Sequence, residues 1–223
     1  SAFTGTRNAV ALANGTVALD FALLALGIGA GDEVVVTPRT FLASASSIVS
    51  AGAIPVFADV DRDSQNITAK TVAQVLSPRT RAIVCVHLAG WPCDMDSIMA
   101  LAREHDLFVI EDCAQAQGAT YKSKKVGTLG VTGCFSFYPT KILGSYGDGG
   151  FVTTNDKNLY LKIRRLRFYG MEQMNNRKWW NKKYFAKLLL DGREAWVRKR
   201  GDIFESAGIN NTPKFYNLDG SLI

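Results

Sequence analysis

No CxxC pair occurs among the four cysteines of this 223-residue chain, and Cys85, Cys93, Cys113 and Cys134 each sit in or beside an apolar stretch. Zinc sites and disulfide frameworks need cysteines grouped by spacing, so reduced core thiols are the expected role and no metal site is predicted. No uninterrupted apolar run approaches the roughly 20 residues that span a bilayer, which predicts a soluble chain. Residues Ser1 to Asn8 lack the basic start, apolar middle and small-residue cleavage site of a secretory signal, so a cytoplasmic location is expected. Internal repeats and low-complexity tracts are missing too. Charge is not strongly one-sided: 26 Lys and Arg stand against 20 Asp and Glu, a net +6. That excess admits nucleic acid, an anionic small-molecule substrate, or nothing beyond solubility.

What is present is a globular composition, 47% hydrophobic and 21% charged, sufficient for one good-sized core. From Asn8 to about Arg167, short β-branched runs alternate with segments of helical apolar spacing. Strands are expected at Ala9 to Leu12, Glu33 to Val36, Pro55 to Ala58, Ala82 to His87, Phe108 to Glu111, Gly133 to Phe137 and Phe151 to Thr153. Several are near-continuously apolar, as strands buried on both faces must be. Helices are expected at Thr16 to Leu26, Thr40 to Ser50, Thr68 to Leu76 and Asp94 to His105, each opened by a Thr or Asp suited to N-capping. The alternation predicts an α/β fold: a mostly parallel seven-stranded sheet with helices on both faces.

Near Met171 the texture changes. Asn175, Asn176, Trp179, Trp180 and Asn181 arrive with Arg177, Lys178, Lys182, Lys183, Lys187, Arg193, Arg198, Lys199 and Arg200, so the preceding part is close to neutral. Residues 1–170 are therefore read as one large domain and 171–223 as a basic, Trp-rich C-terminal segment. The two tryptophans could stack on bases, but a helical wrap docked on a core is the commoner arrangement and is preferred.

An open α/β sheet binds ligands at the carboxyl ends of its parallel strands, which singles out five places. Asn14-Gly15-Thr16 runs from the first strand straight into a helix, presenting N–H groups and a hydroxyl at a positive helix end; it suits a phosphate, though it also reads as an ordinary capped turn. Glu111 and Asp112, adjacent at a strand end, point to opposite faces, so one can be structural while the other serves a ligand. Such a carboxylate could cap a helix, hold a metal, or keep a protonated ring nitrogen charged, but no histidine or second acidic cluster lies nearby in sequence to complete a metal shell. Lys141 follows the strand ending Phe135-Ser136-Phe137 and precedes a glycine-rich run to Gly150. In an apolar pocket its neutral amine could form a Schiff base with an aldehyde; the glycines alone read equally as a hairpin or bulge. Thr40-Phe41 and His87 are the remaining places.

Taken together these motifs resemble the DegT/DnrJ/EryC1/StrS sugar aminotransferases, fold-type I enzymes dependent on pyridoxal 5′-phosphate (PLP). The resemblance spans about Phe3 to Gly170 and rests on seven ordered stretches: Gly15-Thr16, Gly31 to Pro38, Gly52 to Phe57, Val86 to Gly90, Glu111 to Gln115, Phe135 to Phe137, and Lys141 to Gly150. It implies that residues 1–170 are a fold-type I large domain. By it, Lys141 is the internal-aldimine lysine that then moves a proton between cofactor and substrate carbons, and Asp112 is the carboxylate paired with the pyridinium nitrogen. Gln115 would contact the phenolic oxygen, Gly15, Thr16 and Ser136 would bind the phosphate, and Phe41 would stack on the ring. His87 stays outside the catalytic set as a buried, satisfied histidine.

The implied reaction transfers an amino group, usually from glutamate, to a keto carbon of a nucleotide-linked sugar, an anionic substrate that a positive chain suits. A family variant with histidine in place of the lysine runs dehydration, so Lys141 favours transamination. Polysaccharide or aminosugar biosynthesis is the implied setting. Family members form homodimers whose sites lie at the interface, and they continue into an N-terminal segment and a small C-terminal domain not recognised here. A silent homologue that keeps the fold and binds PLP or a nucleotide sugar as a module is therefore the alternative. Neither membrane nor nucleic acid is an expected partner.

Overall fold

The computed structural model describes residues 2–168, 184–188, 194–200 and 203–210. Seven strands form one sheet: β1 (Asn8–Leu12), β2 (Glu33–Val36), β3 (Ile54–Phe57), β4 (Thr80–Val86), β5 (Phe108–Asp112), and, after the small hairpin of β6 (Thr120–Tyr121) and β7 (Lys124–Lys125), β8 (Thr132–Ser136) and β9 (Gly150–Thr154). Their order is β1-β9-β8-β5-β4-β2-β3. The ladders β3/β2, β2/β4, β4/β5 and β5/β8 are parallel, and β9 runs antiparallel to both β8 and β1. All residues of β2 and β8 are buried, as strands covered on both faces require.

Alternation along the strands divides the core in two. Val35, Ile83, Cys85 and Val109 pack with Val72 of α3 (Ala69–Ala73) and with Met95, Ile98 and Ala102 of α4 (Met95–Glu104). The opposite face carries α1 (Gly15–Ala25), which packs on β8, β9 and α2 (Ala43–Ser50). A 10-residue helix such as α4 is marginal alone. Burying Ile98 and Met95 supplies about 2 kcal/mol each, and that holds it.

Helix starts differ in detail from expectation. Asn14, not Thr16, caps α1, its Oδ1 accepting from Val17 N at 2.9 Å. Thr68 caps α3 as expected, in a reciprocal box with Thr71, but that helix spans only five residues. Asp94 stands before α4 yet accepts from Ser97 Oγ (2.5 Å) and Tyr121 OH (2.7 Å) rather than from the backbone. A further helix, α5 (Lys157–Arg167), is opened by Asp156, whose Oδ1 accepts from Asn158 N and Leu159 N and whose apolar Leu159 and Ile163 are buried one turn apart.

Contacts divide the chain into two compact units, 1–163 and 164–223. Within the second, β10 (Tyr184–Leu188), β11 (Glu194–Arg200) and β12 (Ile203–Asn210) form an antiparallel sheet with a register shift between Arg198 and Lys199. Trp179 and Trp180, and the helical wrap expected around them, lie outside the described residues. Among the described residues no helix is long and apolar enough to cross a membrane.

Candidate active site

Because β1, β2, β4, β5 and β8 all run the same way, the five places singled out above share one edge of the sheet, that of the carboxyl ends. β1 and β8 are separated there only by β9, and their exits meet. An added Cβ on Gly15 would lie 2.7 Å from the Ser136 Cβ and 3.3 Å from its Oγ, so only glycine lets the start of α1 close on Ser136. Gly150 likewise sits on the Asn14 main chain, where a Cβ would meet the carbonyl carbon at 2.5 Å. Asn14 Nδ2 donates to Asp148 Oδ2 at 3.4 Å, tying the turn to the glycine-rich loop.

This corner is rich in unused donors. Val17 N donates to Asn14 Oδ1 and Ala18 N to Asn14 O, which leaves the first two helical N–H groups, of Gly15 and Thr16, unengaged among the described residues. Ser136, buried, accepts from Tyr138 N at 3.3 Å, so its hydroxyl proton is free to donate. The Ser136 carbonyl accepts from Gln117 Nε2 at 2.6 Å, bracing β8 against the β5 exit. Three donors at a positive helix end make an anion cradle.

At the end of β5 the two carboxylates do face opposite ways. Glu111 is wholly buried: Oε1 accepts from Leu129 N and Gly130 N, and Oε2 from Gly127 N, all at 2.7 Å. His87 Nε2 lies 3.0 Å from Oε2. Cys93 N donates to His87 Nδ1 at 3.1 Å, so Nδ1 is the acceptor and the neutral ring donates its Nε2–H to Glu111. The absence of a histidine near this pair, expected from sequence, is thereby corrected: parallel pairing of β4 with β5 brings His87 alongside. Ligand atoms of His87, Glu111 and Cys113 fall within 4.8 Å of one another. The Glu111 and ring lone pairs are already taken by N–H groups, so the trio is a structural knot holding the 127–130 turn to the sheet.

Asp112 faces the other way, 5% exposed. Its Oδ2 accepts from Ser44 Oγ at 2.7 Å and its Oδ1 from Ala114 N at 3.0 Å, so lone pairs remain for a ligand N–H. Gln115 Oε1 accepts from Ala89 N at 2.8 Å, which fixes the amide and frees its NH2 to donate. Ala89, left-handed at φ 51, is held in that turn by the same bond. Lys141 is half-buried, with its N–H donating to Tyr138 O at 2.8 Å. Phe41 stands at the rim, 68% exposed. All four cysteines are free and buried; burial pushes the Cys113 and Cys134 thiols well up, as suits inert core groups. Ser44 was not singled out from sequence; the Thr40 to Ser44 interval of one helical turn was the available signal.

The model of the DegT/DnrJ/EryC1/StrS aminotransferase family matches residues 1–195. GDP-perosamine synthase of Caulobacter vibrioides is 49% identical over 178 residues, 80% of this chain and 47% of that protein. The UDP-N-acetyl-3-dehydro-alpha-D-glucosamine 3-aminotransferase of Acidithiobacillus ferrooxidans is 51% identical over 170 residues, 76% of this chain and 46% of that one. Among solved structures, an aminotransferase from Psychrobacter cryohalolentis superposes with a TM-score of 0.76 at 46% identity, covering 95% of this chain and 50% of the other. The chain thus spans about half the length of the curated relatives it matches.

Proposed function

The chain belongs to the DegT/DnrJ/EryC1/StrS aminotransferase family, and from that premise we propose that it is the cofactor-binding part of a PLP-dependent sugar aminotransferase. Its reaction would move an amino group from glutamate to a keto carbon of a nucleotide-linked sugar. The observation that carries this is the set of matched, unspent groups at one sheet edge: the Gly15, Thr16 and Ser136 donors, the free Gln115 amide and the Asp112 acceptor. The residues present fit PLP group by group. Gly15, Thr16 and Ser136 would take the phosphate, Gln115 would donate to the phenolic oxygen, and Phe41 would cover the ring face.

PLP, when bound, supplies an electron sink for the pair released at the substrate carbon. Asp112, braced by Ser44 and Ala114, would keep the proton on the ring nitrogen. Lys141 Nζ would hold the cofactor and then take and return the substrate-carbon proton. Residues 1–170 would form the large domain, with 171–223 a separate basic segment. A cytoplasmic homodimer is the proposed working form, acting in polysaccharide or aminosugar synthesis; one relative, of Bacillus subtilis, is named a spore coat polysaccharide biosynthesis protein.

The test is the absorbance spectrum of the purified chain with PLP, beside Lys141→Ala. The wild type is expected to develop a visible band that borohydride fixes onto Lys141, read as a mass increment on its peptide, and the variant to show neither. A wild type without band or adduct sinks the proposal.

A further inference from the structure

Ser44 lies in the first turn of α2, 1% exposed, on a helix that contributes no other group to the site. Its Oγ donates to Asp112 Oδ2 at 2.7 Å across 68 residues of sequence. That single proton is then spent, so Thr40 Oγ1, at 2.8 Å from Ser44 Oγ, must be the donor of their shared bond. The hydroxyls form one ordered chain, Thr40 to Ser44 to Asp112. The Ser44 N–H also donates to Phe41 O at 3.2 Å, so the same turn fixes the backbone of the exposed aromatic.

A carboxylate turns easily about its last torsion unless both oxygens are held. Here Ala114 N holds Oδ1 and Ser44 holds Oδ2, which sets the carboxylate plane and leaves one lone pair on each oxygen. We propose that Ser44 is a positioning residue for Asp112. With Thr40 as its relay, it would set the angle at which the carboxylate meets a ring N–H, while the same turn presents Phe41 to the ring face. The role rests on the cofactor reading above. Ser44 itself touches no substrate or cofactor atom.

The experiment uses the 223-residue chain with Ser44→Ala, Ser44→Thr, Asp112→Ala and the Ser44→Ala/Asp112→Ala double variant. Urea unfolding without cofactor closes a double-mutant cycle, in which a charge-assisted bond is expected to couple the sites by about tenfold in the unfolding constant. Absorbance titrations then use two probes, PLP and its 1-deaza analogue, which has carbon in place of the ring nitrogen. Ser44→Ala is expected to weaken PLP about tenfold and leave deaza-PLP unchanged. Ser44→Thr, which keeps the hydroxyl, should bind PLP within about threefold of wild type.

Absence of coupling overturns the proposal, and so does an equal loss for both probes, which would make Ser44 merely structural. A wild type that binds neither probe while the coupling persists would mean that the bond exists but the cofactor reading is wrong, and the proposed role falls with that reading.

Discussion

Deleting the Glu111 carboxylate strands four donors at once: the N–H groups of Gly127, Leu129 and Gly130 and the Nε2–H of His87. Each unmatched buried donor costs about 1–3 kcal/mol, less what relaxation and entering water recover. Glu111→Ala is therefore expected to destabilise the cofactor-free chain by at least about 3 kcal/mol in urea unfolding, against a typical mutation near 1. A loss under 1 kcal/mol would show the knot to be dispensable. Asp112→Ala, one residue on, breaks two bonds rather than four and should cost clearly less. That the neighbours take different roles was legible in the sequence, because strand geometry sends adjacent side chains to opposite faces. Which role falls to which was not: the donors that occupy Glu111 come from 16 to 24 residues away and are brought in by the sheet and the 127–130 turn. For Ser44 the one-turn interval from Thr40 says nothing of Asp112, because that pairing is made by the fold across 68 residues of sequence.

The turn from β1 into α1 is where local sequence and site coincide. Asn14 caps the helix, Gly15 admits Ser136, and the two leading N–H groups are left over. Gly15→Ala would place a methyl 2.7 Å from the Ser136 Cβ, closer than carbons approach, so α1 or β8 must shift. Overpacking of this kind costs about 1–3 kcal/mol in stability. Its sharper consequence belongs to the cradle. PLP affinity is expected to fall at least tenfold while that of pyridoxal, which has no phosphate, stays nearly level, both read by absorbance titration. Equal losses for the two would mean that the turn is not the phosphate site. The seven strands of the large sheet were legible within a residue or two from their short β-branched, apolar runs, whereas the two-residue strands β6 and β7 and the strands β10 to β12 in the basic segment were not expected. Helix limits were less so. Expected up to Leu76, α3 stops after two capping bonds and five residues, because the chain turns at Ser77, whose N–H donates to Thr80 Oγ1, to enter β4. No helix was expected at α5 because its basic sequence hides a stripe of only two buried apolar residues.

Several of the exposed large apolar side chains in the described part of the first unit follow strands at the edge that carries the site. Phe41 and Leu42 follow β2, Trp91 follows β4, and Tyr138, Ile142 and Leu143 follow β8; all are more than half exposed, from 52% for Tyr138 to 73% for Leu42. Scattered exposed apolar residues are normal, but contiguous patches beyond about 300–600 Å² are uncommon on monomers and mark surfaces that bind something. Two of the six, Ile142 and Leu143, follow the proposed cofactor lysine directly. A surface of this composition suits the proposed second copy of the chain, since a closed pair covers the same patch on both partners. Light scattering across a concentration series is therefore expected to return twice the chain mass. The variant Ile142→Asp/Leu143→Asp should shift the equilibrium toward monomer by at least about tenfold, since two buried side chains contribute more than 1.4 kcal/mol. Because both side chains are exposed in the single chain, its near-ultraviolet circular dichroism should be unchanged and its unfolding midpoint should move little. A wild type that stays monomeric at about 50 μM, near the weak end of specific protein association, would remove the pairing and leave the apolar rim to substrate alone.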